Sequence, residues 1–214
     1  EALRIEVLRQ HIQLTKMPLV YVNAVGGQDE LVFDGGSFAL NDKGQVVMSM
    51  PQFEVGLGIV EINSSAQLAK GLITSPQSVE AQAYQALVLG VRDYVNKNRF
   101  PGVIIGLSGG VDSALVLAIA VDALGADKVR AVMMPSRYTA DISWIDAREM
   151  AKNLGVQYDE IPISGPVDAL EQSLSEQFKG LKLDATEENI QARVRGTLLM
   201  ALSVSYTHLR AHET

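Results

Sequence analysis

Hydrophobic spacing divides the chain into two regions with different rhythms. From Leu3 to about Leu14, apolar Leu3, Val7, Leu8 and Ile12 recur at helical intervals. Short apolar runs then alternate with turn residues. Pro18–Val25 reads as a buried strand, Gly26–Asp29 as a turn, Leu31–Phe33 as a strand, Gly35-Gly36 as a turn and Ser37–Leu40 as a strand. Asn41-Asp42-Lys43-Gly44 has hairpin-turn chemistry before Gln45–Met50, and Val55–Ile62 reads as the last strand of this half. The polar stretch 63–78 has linker composition.

Beyond it, helix and strand alternate. Ser75-Pro76 predicts a helix start, with Val79, Ala83, Leu87 and Val91 on one face. Val103–Leu107, Val129–Met134 and Val156–Ile163 read as strands. Asp112–Leu124, a segment capped by Ser143 and Asp146 and ending near Leu154-Gly155, Pro166–Phe178 and Thr186–Leu202 read as helices. Such alternation predicts an α/β domain whose doubly wound parallel sheet is covered on both faces.

Composition narrows the class. The 214 residues are 47% hydrophobic and 20% charged, which fits a globular chain. A net charge of −7 offers no general basic surface for nucleic acid. No apolar run reaches membrane-spanning length and the start lacks a secretory pattern, so a cytoplasmic protein is expected. The absence of Cys excludes disulfides and a Cys nucleophile from these residues. The first residue is not Met and a helical pattern is already under way, so the sequence reads as a fragment.

The chemistry concentrates at Gly106-Leu107-Ser108-Gly109-Gly110-Val111-Asp112-Ser113, between a predicted strand and a predicted helix. A helix start carries free N–H donors and partial positive charge, which favour phosphate. The two glycines allow close backbone approach, the serines add hydroxyls, and Asp112 offers a hard oxygen suited to magnesium. A Walker loop would need Lys where Asp112 stands, and the spacing fails the G-x-G-x-x-G pattern. The segment SGGVDS resembles the PP-loop of the ATP pyrophosphatases, the adenine nucleotide alpha hydrolase-like fold.

Two further segments extend that likeness: Met134-Pro135-Ser136-Arg137-Tyr138-Thr139 and Thr186–Arg195, which contains Ala-Arg-Val-Arg. Together with SGGVDS they resemble the NAD synthetase family in its glutamine-dependent form. Residues 1–62, with Tyr21-Val22-Asn23 and Gly26–Ser37, resemble the end of that family's nitrilase-like glutaminase domain. The resemblance implies four regions: 1–62 from the glutaminase domain, a linker at 63–78, the start of the PP-loop domain at 79–203, and an atypical tail at 204–214. It implies an ATP- and magnesium-dependent ligase that adenylates the nicotinate carboxylate of deamido-NAD and amidates it with ammonia from glutamine. It also implies a homo-oligomeric full-length parent.

By the same resemblance, Gly106–Ser113 bind ATP, Asp112 is a metal ligand, and Arg193, with Asn189 one turn earlier, contacts deamido-NAD. For Arg195 a solvated helix charge is an equally good reading, and Glu187 and Glu188 are explained by the helix dipole. Met133 and Met134 suit strand packing as well as adenine contact. Tyr138 and Trp144 read as core or rim aromatics, and Asp141 and Asp146 as helix-start carboxylates. The glutaminase triad's Cys is absent, so no catalytic residue is assigned. His208 and His212 have i, i+4 spacing but no third ligand, so no zinc site is expected. The alternatives are a nucleotide-binding module, a carbon–nitrogen hydrolase fragment, or another PP-loop ligase such as GMP synthetase.

Overall fold

The computed structural model describes residues 2–179 and 185–209, with side chains as far as 204. The chain divides into two compact units, Glu1–Tyr94 and Val95–Thr214.

In the first unit, helix α1 (Ala2–Thr15) lies on a three-stranded antiparallel sheet in the order β1 (Leu19–Tyr21), β4 (Phe38–Leu40), β5 (Val46–Ser49). Ile12, Phe38 and Leu40 are buried between them, with Ile5, Leu8, Leu19 and Tyr21 packed around. The predicted helix is present but its inner face is rotated. Ile5, Leu8 and Ile12 point inward, whereas Leu3 and Val7 are exposed. On the opposite side of the sheet, Ala39, Val47 and Met48 form a second small core.

β2 (Val25–Gln28) and β3 (Leu31–Asp34) make a separate hairpin that turns at Asp29-Glu30, so Gly26-Gly27 lies in a strand and not in the predicted turn. Gly27 is needed for close approach. A Cβ there would stand 3.2 Å from Gly90 Cα, and its N–H donates to Asp93 Oδ2 at 2.8 Å. Asp34 gathers the unit's polar contacts, accepting hydrogen bonds from Arg4, Asn23 and Gln52.

Val55–Ile62 forms no strand. Only its end is paired, where Ile62 bridges Leu68 and Glu61 O accepts from Ala69 N–H, and Val55, Leu57 and Ile59 are exposed. The segment 71–74 runs along β5: Gly71 N–H donates to Val47 O, and Thr74 exchanges bonds with Ser49. Helix α2 (Val79–Lys97) begins at Val79, where Ser78 Oγ accepts from Ala81 N–H, rather than at Ser75-Pro76. The boundary between the compact units falls within α2.

The second unit is the expected α/β layer structure. β6 (Val103–Gly106), β7 (Val129–Met133) and β8 (Gln157–Glu160) form a parallel sheet in that order. Period-2 alternation sends β7 residues to both faces. Val129, Ala131 and Met133 pack with Leu117 and Ala120 of α3 (Val111–Leu124) and with Ala147 and Ala151 of α4 (Asp141–Leu154). Val132 and Met134 pack with Val167 of α5 (Ser164–Ser173) and Val194 of α6 (Ala185–Leu209). Helices on both faces make the sheet doubly wound.

Three details differ from expectation. α4 starts at Asp141 after Ala140, with no side-chain cap, so Ser143 and Asp146 form no capping box. α5 ends at Ser173, short of Phe178. α6 continues to Leu209, so the tail expected from 204 begins as helix; His212 lies outside the described residues. Among the described residues, no helix is long and apolar enough to cross a membrane.

Candidate functional site

The central feature is built where β6 gives way to α3. Leu107 makes the last ladder contact, donating its N–H to Val132 O at 2.9 Å while its side chain is buried. The following residues leave the sheet, and two serine hydroxyls tie the turn. Ser108 Oγ accepts from Gly110 N–H at 3.2 Å and lies 3.0 Å from Ser113 Oγ. Ser113 Oγ accepts from Ser108 N–H at 3.1 Å and donates to Gly110 O at 3.0 Å. Both hydroxyls are therefore occupied in shaping the loop. The donors that remain for an anion are backbone N–H groups, because an α-helix leaves those of Val111, Asp112 and Ser113 without intrahelical partners. Gly110, the N-cap, supplies no side-chain cap to compete for them.

Gly109 is fixed by two constraints. Its φ is +81°, and a Cβ would stand 2.3 Å from Ser143 O and 2.7 Å from Ser143 Cα. The first turn of α4 thus presses on the loop from the side. Asp112 is exposed, and the structure gives its carboxylate no partner. No group of three or more acidic or His side chains suited to a metal occurs among the described residues. A lone exposed carboxylate at a phosphate-type loop fits a magnesium ion, which keeps several waters and takes its other ligands from substrate phosphates.

Helix α6 runs against the strands. Ser203 and Val204, near its far end, line a cavity of 520 Å³ with Val103 and Val129 at the amino ends of β6 and β7. Its earlier part reaches the carboxyl edge, where Arg195 Nε donates to Met134 O at 3.1 Å. Arg193 and Asn189 occupy exposed positions one turn apart on that part of α6, at and beyond the carboxyl edge. The fold therefore brings the loop, Arg193 and Asn189 to one edge of the sheet, opposite the 520 Å³ cavity.

Arg195 is the residue that sequence reasoning undervalued, since its guanidinium is bonded to the backbone and not simply solvated. The backbone of Ser143 at Gly109 was also missed, and no local sequence signal marks it. At the same edge, the turn after β7 is tied by Ser136 and Thr139, while Arg137 forks onto Glu171 of α5 over the exposed Tyr138 ring. Trp144 packs at the margin of the core beneath Arg148; Met133 is the last residue of β7, and Met134, expected within the strand, lies buried just beyond its end.

A helix N-terminus opening at the carboxyl edge of a doubly wound sheet defines a nucleotide-binding type of α/β protein. Comparison makes this specific. The family model described as NAD synthase matches residues 83–212. The glutamine-dependent NAD(+) synthetase of Acinetobacter baylyi is 47% identical over 207 residues, covering 96% of this chain and 38% of that protein. The Rhodobacter capsulatus enzyme of the same name is 45% identical over 205 residues, covering 94% and 37%. A solved structure, the glutamine-dependent NAD+ synthetase of Acinetobacter baumannii in complex with ADP, superposes with a TM-score of 0.91 at 46% identity, covering 94% of this chain and 39% of that one. The chain belongs to the NAD synthase family, and it spans a little over a third of the length of the curated relatives it matches.

Proposed function

We propose that this chain is the nucleotide-loop portion of a glutamine-dependent NAD synthetase, an ATP-dependent ligase that forms a carbon–nitrogen bond. In the reaction, a carboxylate oxygen of deamido-NAD attacks the α-phosphorus of ATP and pyrophosphate leaves. Ammonia from glutamine then attacks the acyl carbon and AMP leaves. The observation that carries the reading is the self-tied loop Ser108–Ser113 at the carboxyl edge, in a chain 47% identical to an enzyme of that name.

The residues divide the work. Backbone N–H groups of Val111, Asp112 and Ser113 hold phosphate oxygens, and Ser108 and Ser113 keep the loop in shape. Gly110 leaves room for the nucleotide, Gly106 ends β6 against the Met134 and Leu199 side chains and hands the chain to the loop, Gly109 lets the loop turn, and buried Leu107 anchors it to the sheet. Asp112 holds magnesium, which neutralises phosphate charge when bound. Arg193 and Asn189 orient the dinucleotide from α6. Residues 1–62 correspond to the end of the glutaminase domain and, lacking Cys, hydrolyse no glutamine.

Asp112→Asn tests the assignment, because Asn caps a helix about as well but is a much weaker metal ligand. Titration with ADP should show affinity falling at least about tenfold in magnesium, with little change in EDTA. Stability should change by no more than about 1 kcal/mol. Equal affinity of both variants in magnesium removes Asp112 from the site. In the full-length parent, the same substitution should abolish pyrophosphate release and leave glutamine hydrolysis measurable.

A further inference from the structure

The phosphate loop has no cation of its own. Between Gly106 and Ser113 the single ionisable side chain is Asp112, which is negative, and the position a Walker loop gives to Lys is the one Asp112 fills. A helix N-terminus contributes about half a positive charge, well short of what a di- or triphosphate carries. The geometry at the end of β7 shows where another positive charge is stored.

Carbonyls along a strand point alternately to its two neighbours. Val132 O accepts from Leu107 N–H on the β6 side, and Met133 O accepts from Ile161 N–H on the β8 side. Pro135 O again bonds on the β8 side, to Ile163 N–H, so Met134 O faces the side of β6. A continued ladder would satisfy Met134 O with the N–H two residues beyond Leu107, that of Gly109. Gly109 has instead turned away, at φ +81°, to meet Ser143. Arg195 Nε supplies the missing donor at 3.1 Å. Its guanidinium therefore stands in the gap between the end of β7 and the departing phosphate loop. The Nε contact is the one hydrogen bond the structure gives this half-buried side chain, and no carboxylate pairs with it among the described residues. A half-buried guanidinium with a fixed stem and free Nη donors is a site for a phosphate oxygen.

We propose that Arg195 is a nucleotide-binding residue: Met134 O fixes its orientation, and its Nη groups contact the phosphates of the nucleotide held by the loop. The inference rests on the nucleotide reading given above and adds to it the source of positive charge.

The test uses the 214-residue chain and compares ADP with adenosine, which lacks phosphate, by calorimetric titration. Arg195→Met should weaken ADP about tenfold or more while changing adenosine less than about twofold. Arg195→Lys, which keeps a charge and one donor, should fall between Arg195→Met and wild type. Lys152→Met, an exposed α4 position with the same charge change, should leave both affinities unaltered. A purely structural Arg195 would lower ADP and adenosine affinity together, and that result overturns the proposal, as does an ADP affinity that Arg195→Met leaves unchanged. An equal loss on Lys152→Met would reduce the effect to net charge and overturn it as well. Wild-type chain that binds no ADP would overturn the nucleotide reading together with this inference. ADP bound normally by Arg195→Met would overturn the inference alone.

Discussion

Replacing Gly109 with Ala tests how tightly the loop is fitted to its neighbours. Two costs add. An L-residue held at φ +81° carries a left-handed backbone penalty of about 1–2 kcal/mol. The new methyl would also lie 2.3 Å from Ser143 O and 2.9 Å from its carbonyl carbon, so it needs about 1 Å of retreat from a helix backbone. Overpacking of that kind costs about 1–3 kcal/mol, giving about 2–5 kcal/mol in all. Gly110→Ala is the internal comparison. Gly110 has φ −90°, and its nearest contact would be the Ser108 hydroxyl at 3.3 Å, so about 1 kcal/mol or less is expected. Trp144 is the chain's single Trp and packs at the margin of the core formed by α3, α4 and the sheet, so its fluorescence in a urea titration reports this unit. A Gly109→Ala chain within about 1 kcal/mol of wild type, or a Gly110→Ala chain equally damaged, would refute the reasoning.

Two further predictions concern pH. Burial raises the pKa of Asp34, but hydrogen bonds from Arg4 and Gln52 and the Arg4 charge outweigh it and hold the carboxyl below its ordinary value. Its contribution is therefore complete above about pH 4 and lost as pH falls through the depressed value. Hydrogen exchange of residues 19–49 should accelerate in that acid range, and Asp34→Asn should remove the pH dependence; an unchanged acid profile counts against the network. Burial, then the neighbouring Glu160, push the Tyr158 phenol up to about 12, with Arg148 opposing. Stability from the neutral phenol is present below pH 10 and lost as pH rises towards 12. Ultraviolet titration of Tyr158→Phe should lose the late-titrating tyrosine; loss of one that titrates near 10 would refute the assignment.

The α/β half was legible because its signals are redundant. Apolar runs mark β6 and β7, Gly155 in the left-handed region ends α4 as its position suggested, and strand–helix alternation fixes a parallel sheet. In the first half, single residues answer to distant partners. Gly26-Gly27 has turn composition, yet Gly27 is required by the backbone of α2 at Gly90 and lies in a ladder with β3. Val55–Ile62 has strand composition, but a strand is defined by a partner, and among the described residues only its end finds one, in the single bridge of Ile62 to Leu68. Local propensity cannot supply either fact.

The candidate site divides along the same line. SGGVDS was legible because strand end, small residues and helix start are contiguous, and the serine network closes within six residues. Arg195 was illegible because its role depends on a carbonyl 61 positions away and on the direction in which that carbonyl points. A solvated arginine and one that replaces a ladder donor have the same sequence context. The difference arises only after the parallel pairing of β6 with β7 decides which carbonyl is orphaned when Gly109 leaves the sheet. The feature that opens the phosphate loop thus also creates the vacancy that orients a cation beside it. A loop without its own Lys can be a consistent phosphate site when the sheet edge from which it departs recruits an arginine from the opposite layer.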